Sequence, residues 1–212
     1  LRTLFPYTTL FRSGVQAAEL KALRAQIHPH FFFNALNTIS CFCRTDPMKA
    51  KDLILDLSNY FRKTLKRDDD FVTLNEEIEL IKSYLHIEQA RFGPRLKVYF
   101  NIPNEILDFK IPVFLLQPLV ENSIKHGIHD KKDGGSVFIN AKDSSEHIIF
   151  EVCDTGVGMN TKKYEDVITN WPGIGLKNVN DRLILLYGKQ YGVDIKSVYN
   201  EGTRIKIIIP KG

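Results

Sequence analysis

Two histidines stand two residues apart in QIHPHFFFNALNTIS, residues 26–40, with Pro29 between them and Asn34 four residues after the second. An uncharged imidazole is a competent nucleophile near neutral pH. On an α-helix, residues two apart lie roughly 200° apart around the axis, so His28 and His30 face nearly opposite sides and cannot act as a dyad. Asn34 is one turn from His30, where it can orient the ring or an attacking group. Pro29 removes one backbone donor and distorts the helix locally. Alone, such a histidine reads as a polar interruption in a helical interface. Other segments of the chain reverse that reading.

Those segments are LQPLVENSIKHGI (116–128), DTGVGM (154–159), GIGLKNVNDRL (173–183) and EGTRIKIIIP (201–210). Asn122, Lys125 and His126 are spaced i, i+3 and i+4, the spacing of one α-helical face. An amide oxygen such as that of Asn122 suits Mg²⁺, which keeps most of its waters and takes other ligands from phosphates. Lys125 offers a point charge for a phosphate. Asp154 ends an apolar strand, where a carboxylate can accept from an exocyclic amine such as adenine's. Gly156 and Gly158 allow the backbone to pass close to a flat base. Gly173 and Gly175 precede a helix whose free N–H groups and dipole suit phosphate oxygens. Thr203 can reach the same base from the neighbouring strand. Each segment alone is common; their order and spacing carry the signal.

The elements that must position these residues follow from periodicity. Helix formers dominate from Val15 to Cys43, with Leu20, Leu23 and Ile27 on one face. TDP at 45–47 predicts a break, with Asp46 as cap and Pro47 in the next helix's first turn. Leu53, Leu57, Phe61 and Leu65 then recur every four residues and predict the buried stripe of a second helix. Together these form an antiparallel hairpin whose exposed stripe calls for a second copy. Thr73 and Glu76 have capping-box spacing for a third helix reaching Arg91, which FGP at 92–94 ends. LKVYFNI alternates as a strand, and Pro112 is expected to open an apolar helix running to about His126. SVFINA and HIIFEVC pair through a polar turn at 143–146. A glycine-punctuated stretch from 154 to 175 leads into a helix to Tyr187, and VDIKSVY and TRIKIII form a last hairpin about NEG. The fold class is α+β: a dimerising helical hairpin, then an α/β sandwich with helices on one face of a mixed, mostly antiparallel sheet. The expected divisions are 14–70 for the dimerisation and phosphotransfer helices, 71–94 for a connecting helix and 95–212 for a nucleotide-binding domain.

Composition narrows the alternatives. Of 212 residues, 43% are hydrophobic and 25% charged, which is the balance of a folded soluble protein. No run approaches the roughly 18 apolar residues of a membrane span. Residues 3–13, TLFPYTTLFRS, back-translate to a string resembling the end of a common short-read sequencing adapter, so residues 1–13 are set aside as an artefact. The chain is expected to continue upstream in its native form. Without Arg2 and Arg12 the charge falls from +4 to 27 − 25 = +2, too mild for nucleic acid. Cys41, Cys43 and Cys153 read as reduced cytosolic thiols, not metal ligands.

The four C-terminal segments resemble the asparagine box and the two glycine boxes of the GHKL ATPase superfamily, whose nucleotide domain is the Bergerat fold. With QIHPHFFFNALNTI and LNEEIELIKSYLHIEQARF, the chain from Leu20 to Pro210 is similar to the kinase core of LytS-like sensor histidine kinases. That resemblance implies ATP with Mg²⁺, autophosphorylation on histidine, a homodimer, and transfer to an aspartate of a response-regulator receiver domain. It maps the phosphoacceptor onto His30, with Asn34 beside it; the family's usual residue at position 28 is asparagine. It places ATP contacts at Asn122, Lys125, His126, Asp154, Gly156, Gly158, Gly173, Gly175, Leu176, Lys177 and Thr203, with Asn122 also on Mg²⁺. It further implies a membrane-spanning sensor upstream and a location on the cytoplasmic face of a bacterial membrane, the fragment itself being soluble. Two positions depart from related kinases and ATPases: Phe31 stands where many histidine kinases carry an acidic base, with Glu19 and Glu121 as unplaced substitutes. Pro118 stands where ATP-hydrolysing members carry glutamate, which implies transfer to histidine with poor hydrolysis. The rival readings are an inactive ATP-binding dimeric scaffold, a chaperone- or topoisomerase-type ATPase, and a serine kinase of the anti-sigma type. The last would lack the HPHFFFNALN helix.

Overall fold

A computed structural model describes residues 29–65, 70–160 and 174–211. His28, Gly173, Glu19 and the first thirteen residues lie outside these. The chain divides into two compact units, Leu1–Lys66 and Arg67–Gly212.

In the first unit, α1 (Pro29–Thr45) and α2 (Pro47–Leu65) pack on each other. The break between them is the expected one: the Asp46 carboxylate accepts from the Lys49 amide at 3.1 Å, and Pro47 starts the second helix. Phe31, Ala35 and Ile39 are buried with Ala50, Leu53, Leu57 and Tyr60. The Phe31 and Tyr60 rings lie 5.0 Å apart, and Phe32 and Phe61 meet edge-on at 5.4 Å. The predicted stripe needs correction at its end. Leu65 is exposed and Phe61 half-buried, while Tyr60 and Thr64 turn inward. A strict four-residue repeat drifts around a helix of 3.6 residues per turn, so the buried line steps back by one.

The second unit begins with β1 (Phe71–Thr73) and α3 (Leu74–Phe92). The capping box is present: Thr73 Oγ1 accepts from the Glu76 amide at 3.1 Å, and the Glu76 carboxylate accepts from the Thr73 amide at 2.8 Å. β2 (Leu96–Asn101), β3 (Lys110–Pro112), β4 (Gly135–Asp143), β5 (His147–Asp154), β6 (Val193–Val198) and β7 (Gly202–Pro210) follow, with α4 (Gln117–Asn122) before β4 and α5 (Ile174–Tyr187) before β6. The main sheet runs β2-β4-β5-β7-β6; only β2–β4 is parallel. Alternation sets its two faces. Val137, Ile139, Ile148, Phe150, Val152, Ile205, Ile207 and Ile209 point into the core, whereas Lys97, Tyr99, Lys196 and Arg204 are exposed. α5 packs against β6 and β7 on the buried side.

The expected helix from Pro112 is corrected. Pro112 ends β3, which pairs antiparallel with β1 as a separate two-stranded sheet. Three-residue strands show no readable periodicity, which hid both from the sequence. After Pro112 the chain turns, with Phe114 at φ 55°, and the helix starts only at Gln117 with Pro118 in its first turn.

Thr73→Ala removes the α3 cap and is expected to lower unfolding stability by about 1 kcal/mol. Chemical denaturation of the 212-residue chain checks this, and an unchanged midpoint would remove the cap from the account.

Candidate functional site

The site of the second unit forms where the ends of three elements meet. Asp154 closes β5 and is only 6% exposed. Its Oδ1 accepts from the Gly156 amide at 2.9 Å and from the Thr203 amide at 3.3 Å. Thr203 sits directly opposite Asp154 in the β5–β7 register. The Thr203 hydroxyl lies 2.9 Å from Ser197 Oγ, and Ser197 also accepts from the Met159 amide and donates to the Gly202 carbonyl. Ser197 is a site neighbour that no sequence motif marks.

Burial pushes the Asp154 carboxyl above the usual aspartate range, opposed by the Gly156 amide, the Ser123 hydroxyl, the Thr203 amide and the Lys131 charge. A carboxylate has about four acceptor positions. Two amides leave acceptor positions open to a further donor, such as an exocyclic amine.

The helix bearing Asn122 is not uniform. α4 is α-helical to Asn122, and Ser123–Ile128 continues as a π-helical turn, closed by the His129 amide on the Ile124 carbonyl at 2.9 Å. The expectation that Asn122, Lys125 and His126 share a regular α-helical face is corrected accordingly. Wider bonding reduces the rotation per residue, which relaxes the i, i+3 alignment of Asn122 with Lys125. Asn122 is half-buried, and Lys125 and His126 are exposed.

Close backbone approach explains the widened turn. A Cβ on Gly127 would stand 2.6 Å from Asp154 Oδ1, and one on Gly156 would stand 2.3 Å from the Gly127 carbonyl carbon. Gly158, at φ +60°, passes against the Val198 carbonyl. Gly156 and Gly158 are therefore required by protein packing itself. Gly127 belongs to the same contact, although its sequence signal was a lone glycine after a histidine.

Gly175 lies in the first turn of α5, where an added Cβ would sit 3.5 Å from Pro118 Cβ. That brings the start of α5 beside the start of α4. Leu176 is half-buried; Lys177 is exposed and pairs with Asp181 at 2.7 Å. Glu121, an unplaced base in the sequence reading, accepts from Gln117 Nε2 at 2.7 Å. No cluster of three His, Cys, Asp or Glu side chains suited to a metal occurs among the described residues. The amide oxygen of Asn122 suits a hard cation that takes most of its ligands from phosphate and water.

His30 lies on α1 of the first unit. Its ring is exposed, and Asn34 Nδ2 stands 3.3 Å from both ring nitrogens. Phe31, at the position where an acid was sought, is buried against Tyr60 and has a packing role.

Comparison with known proteins agrees with this layout. The histidine kinase family profile matches residues 18–96, and that of the histidine kinase-, DNA gyrase B- and HSP90-like ATPases matches residues 110–212. The chain is 41% identical over 204 residues to the sensor protein LytS of Bacillus cereus, covering 93% of this chain and 35% of that protein. The chain belongs to the LytS-like sensor histidine kinase family. It is also 44% identical over 193 residues to the sensor histidine kinase BtsS of Escherichia coli, covering 91% of this chain and 33% of BtsS. It thus spans about a third of the length of these relatives. The fold is that of histidine kinase catalytic domains. The catalytic domain of histidine kinase ThkA superposes with a TM-score of 0.52 at 19% identity, covering 68% of this chain and 99% of that domain. The histidine kinase domain of an Erythrobacter litoralis blue-light activated kinase gives 0.51 at 18%, covering 76% and 74%.

The raised Asp154 carboxyl has a pH consequence. The folded state holds that proton more tightly than the unfolded chain, so this group's contribution to stability falls as pH rises from the ordinary aspartate range through the folded value, and is flat above it. Asp154→Asn keeps the accepting oxygen and removes the charge. The variant is expected to gain stability over wild type across that window and to hold the gain at neutral pH. Thermal melts from about pH 3 to about pH 8 check the sign.

Proposed function

We propose that this chain is the catalytic core of a two-component sensor kinase that transfers the γ-phosphoryl group of ATP to His30 and then to a receiver-domain aspartate. The observation that carries the reading is the Asp154 carboxylate. It is buried, it is held by two amides, and it retains an acceptor position at the mouth of a domain of the histidine kinase ATPase family. In this reading Asp154 accepts from the adenine amine and Thr203 lines the same end of the sheet. Asn122 would supply an oxygen to Mg²⁺, and Lys125, His126, Gly173, Gly175, Leu176 and Lys177 would contact the ATP phosphates. A nitrogen of His30 attacks the γ-phosphorus, the bond to the bridging oxygen breaks, and ADP departs. Asn34 fixes the ring. With Pro118 and Phe31 in place of acids, rate enhancement rests on positioning and charge neutralisation, the general pattern for phosphoryl transfer.

The exposed Phe33, Leu36, Ile54 and Leu55 of the hairpin support a homodimer formed through α1 and α2. No helix among the described residues is long and apolar enough to cross a membrane. Attachment to the cytoplasmic face of a bacterial membrane would come through a sensor region of the full-length protein.

Incubation with γ-labelled ATP and Mg²⁺ tests the reading. The expected label is alkali-stable and acid-labile, is lost in His30→Gln with ATP binding retained, and persists in His28→Gln. Asp154→Asn is expected to weaken nucleotide binding itself. Loss of label in His28→Gln alone would overturn the assignment of the acceptor. ATP binding without any label would point to an inactive scaffold.

A further inference from the structure

Glu77, in the first turn of α3, is fully buried, yet no motif reading gives it a role. Its carboxylate reaches across to the segment leading into α4. One oxygen accepts from the Phe114 amide at 3.2 Å; the other accepts from the Leu116 amide at 3.3 Å and the Gln117 amide at 3.2 Å. Phe114 holds φ at 55°, a value a non-glycine residue adopts only under constraint, and this turns its amide toward the same carboxylate. Successive amides gathered in this way form a concave anion-binding nest.

The donors at the start of α4 can be accounted for in full. The Leu116 and Gln117 amides go to Glu77, Pro118 has none, and the Leu119 and Val120 amides both reach the Leu116 carbonyl at 3.1 Å. A six-residue helix has no stability of its own. Its position is set on two sides: by Glu77 at the start, and by the Gly127 contact with Asp154 within the π turn that follows it. Asn122 lies between these anchors.

We propose that Glu77 is a positioning residue for phosphoryl transfer: from α3 it fixes the start of α4 and so sets Asn122 relative to Asp154. The inference rests on the kinase reading above, and makes α3 part of the metal–phosphate end of the site. Replacing the carboxylate by an amide leaves one acceptor oxygen and turns a donor toward the Phe114 amide.

The test uses the 212-residue chain and measures ATP affinity with Mg²⁺ and with EDTA, alongside the melting temperature. Glu77→Gln is expected to weaken Mg²⁺-dependent ATP binding roughly tenfold, the scale of one lost charge-assisted hydrogen bond. Affinity in EDTA, where adenine recognition by Asp154 dominates, is expected to change by less than about threefold. Glu77→Asp, which keeps the charge on a shorter stem, is expected to recover part of the Mg²⁺ increment; if the Gln variant does not fold, the Asp variant against wild type carries the same comparison. Equal loss with and without Mg²⁺ would make Glu77 a structural residue only, and no loss in either would remove it from the site; both outcomes overturn the inference. Wild-type protein that binds ATP in neither condition would instead overturn the kinase reading.

Discussion

The second unit is organised around the desolvation of one carboxylate. Burying a charge costs roughly several kcal/mol, and each amide bonded to it returns about 1.5–3. That cost is only partly offset at Asp154, by the Gly156 amide where the strand turns and by the Thr203 amide that β7 presents in register, so its carboxyl stays above the usual range. Losing either amide would leave the charge less compensated still. The π turn, the glycine contact and the β6–β7 hairpin are then consequences of one requirement. Protein backbone must come close to an acid that stays open on one side.

The two units answer to different physics. The second holds a polar centre in place by backbone donors. The first is held by aromatic and aliphatic contact between two helices, with His30 exposed on the side that packing leaves free. Phe31 rather than His30 takes the buried position of that turn.

Much of this was legible in the residues. The Asp46 and Thr73 caps and both antiparallel hairpins follow from local patterns that act over two to five residues. The misreadings at Phe114 and at the π turn share a cause: each depends on a partner distant in sequence. Phe114 adopts a backbone angle its residue type disfavours, and Glu77, 37 residues earlier, binds its amide there. Nothing in EEIEL distinguishes the buried Glu77 from the exposed Glu76 or the half-buried Glu79. The π turn, likewise, is imposed by Gly156 and Asp154 from another element. Local propensity spoke for a continuous α-helix, and tertiary contact decided otherwise.

The parallel pairing of β2 with β4 has a topological consequence. β4 with β5, and β6 with β7, are simple hairpins, whereas Leu96 meets Gly135, and Asp154 meets Thr203, only across long intervening segments. Closing each of these carries an entropic cost that the hairpins do not. The segment between β2 and β4 contains α4 and the π turn, so the edge strand and Asn122 are tied to the sheet by the same crossover.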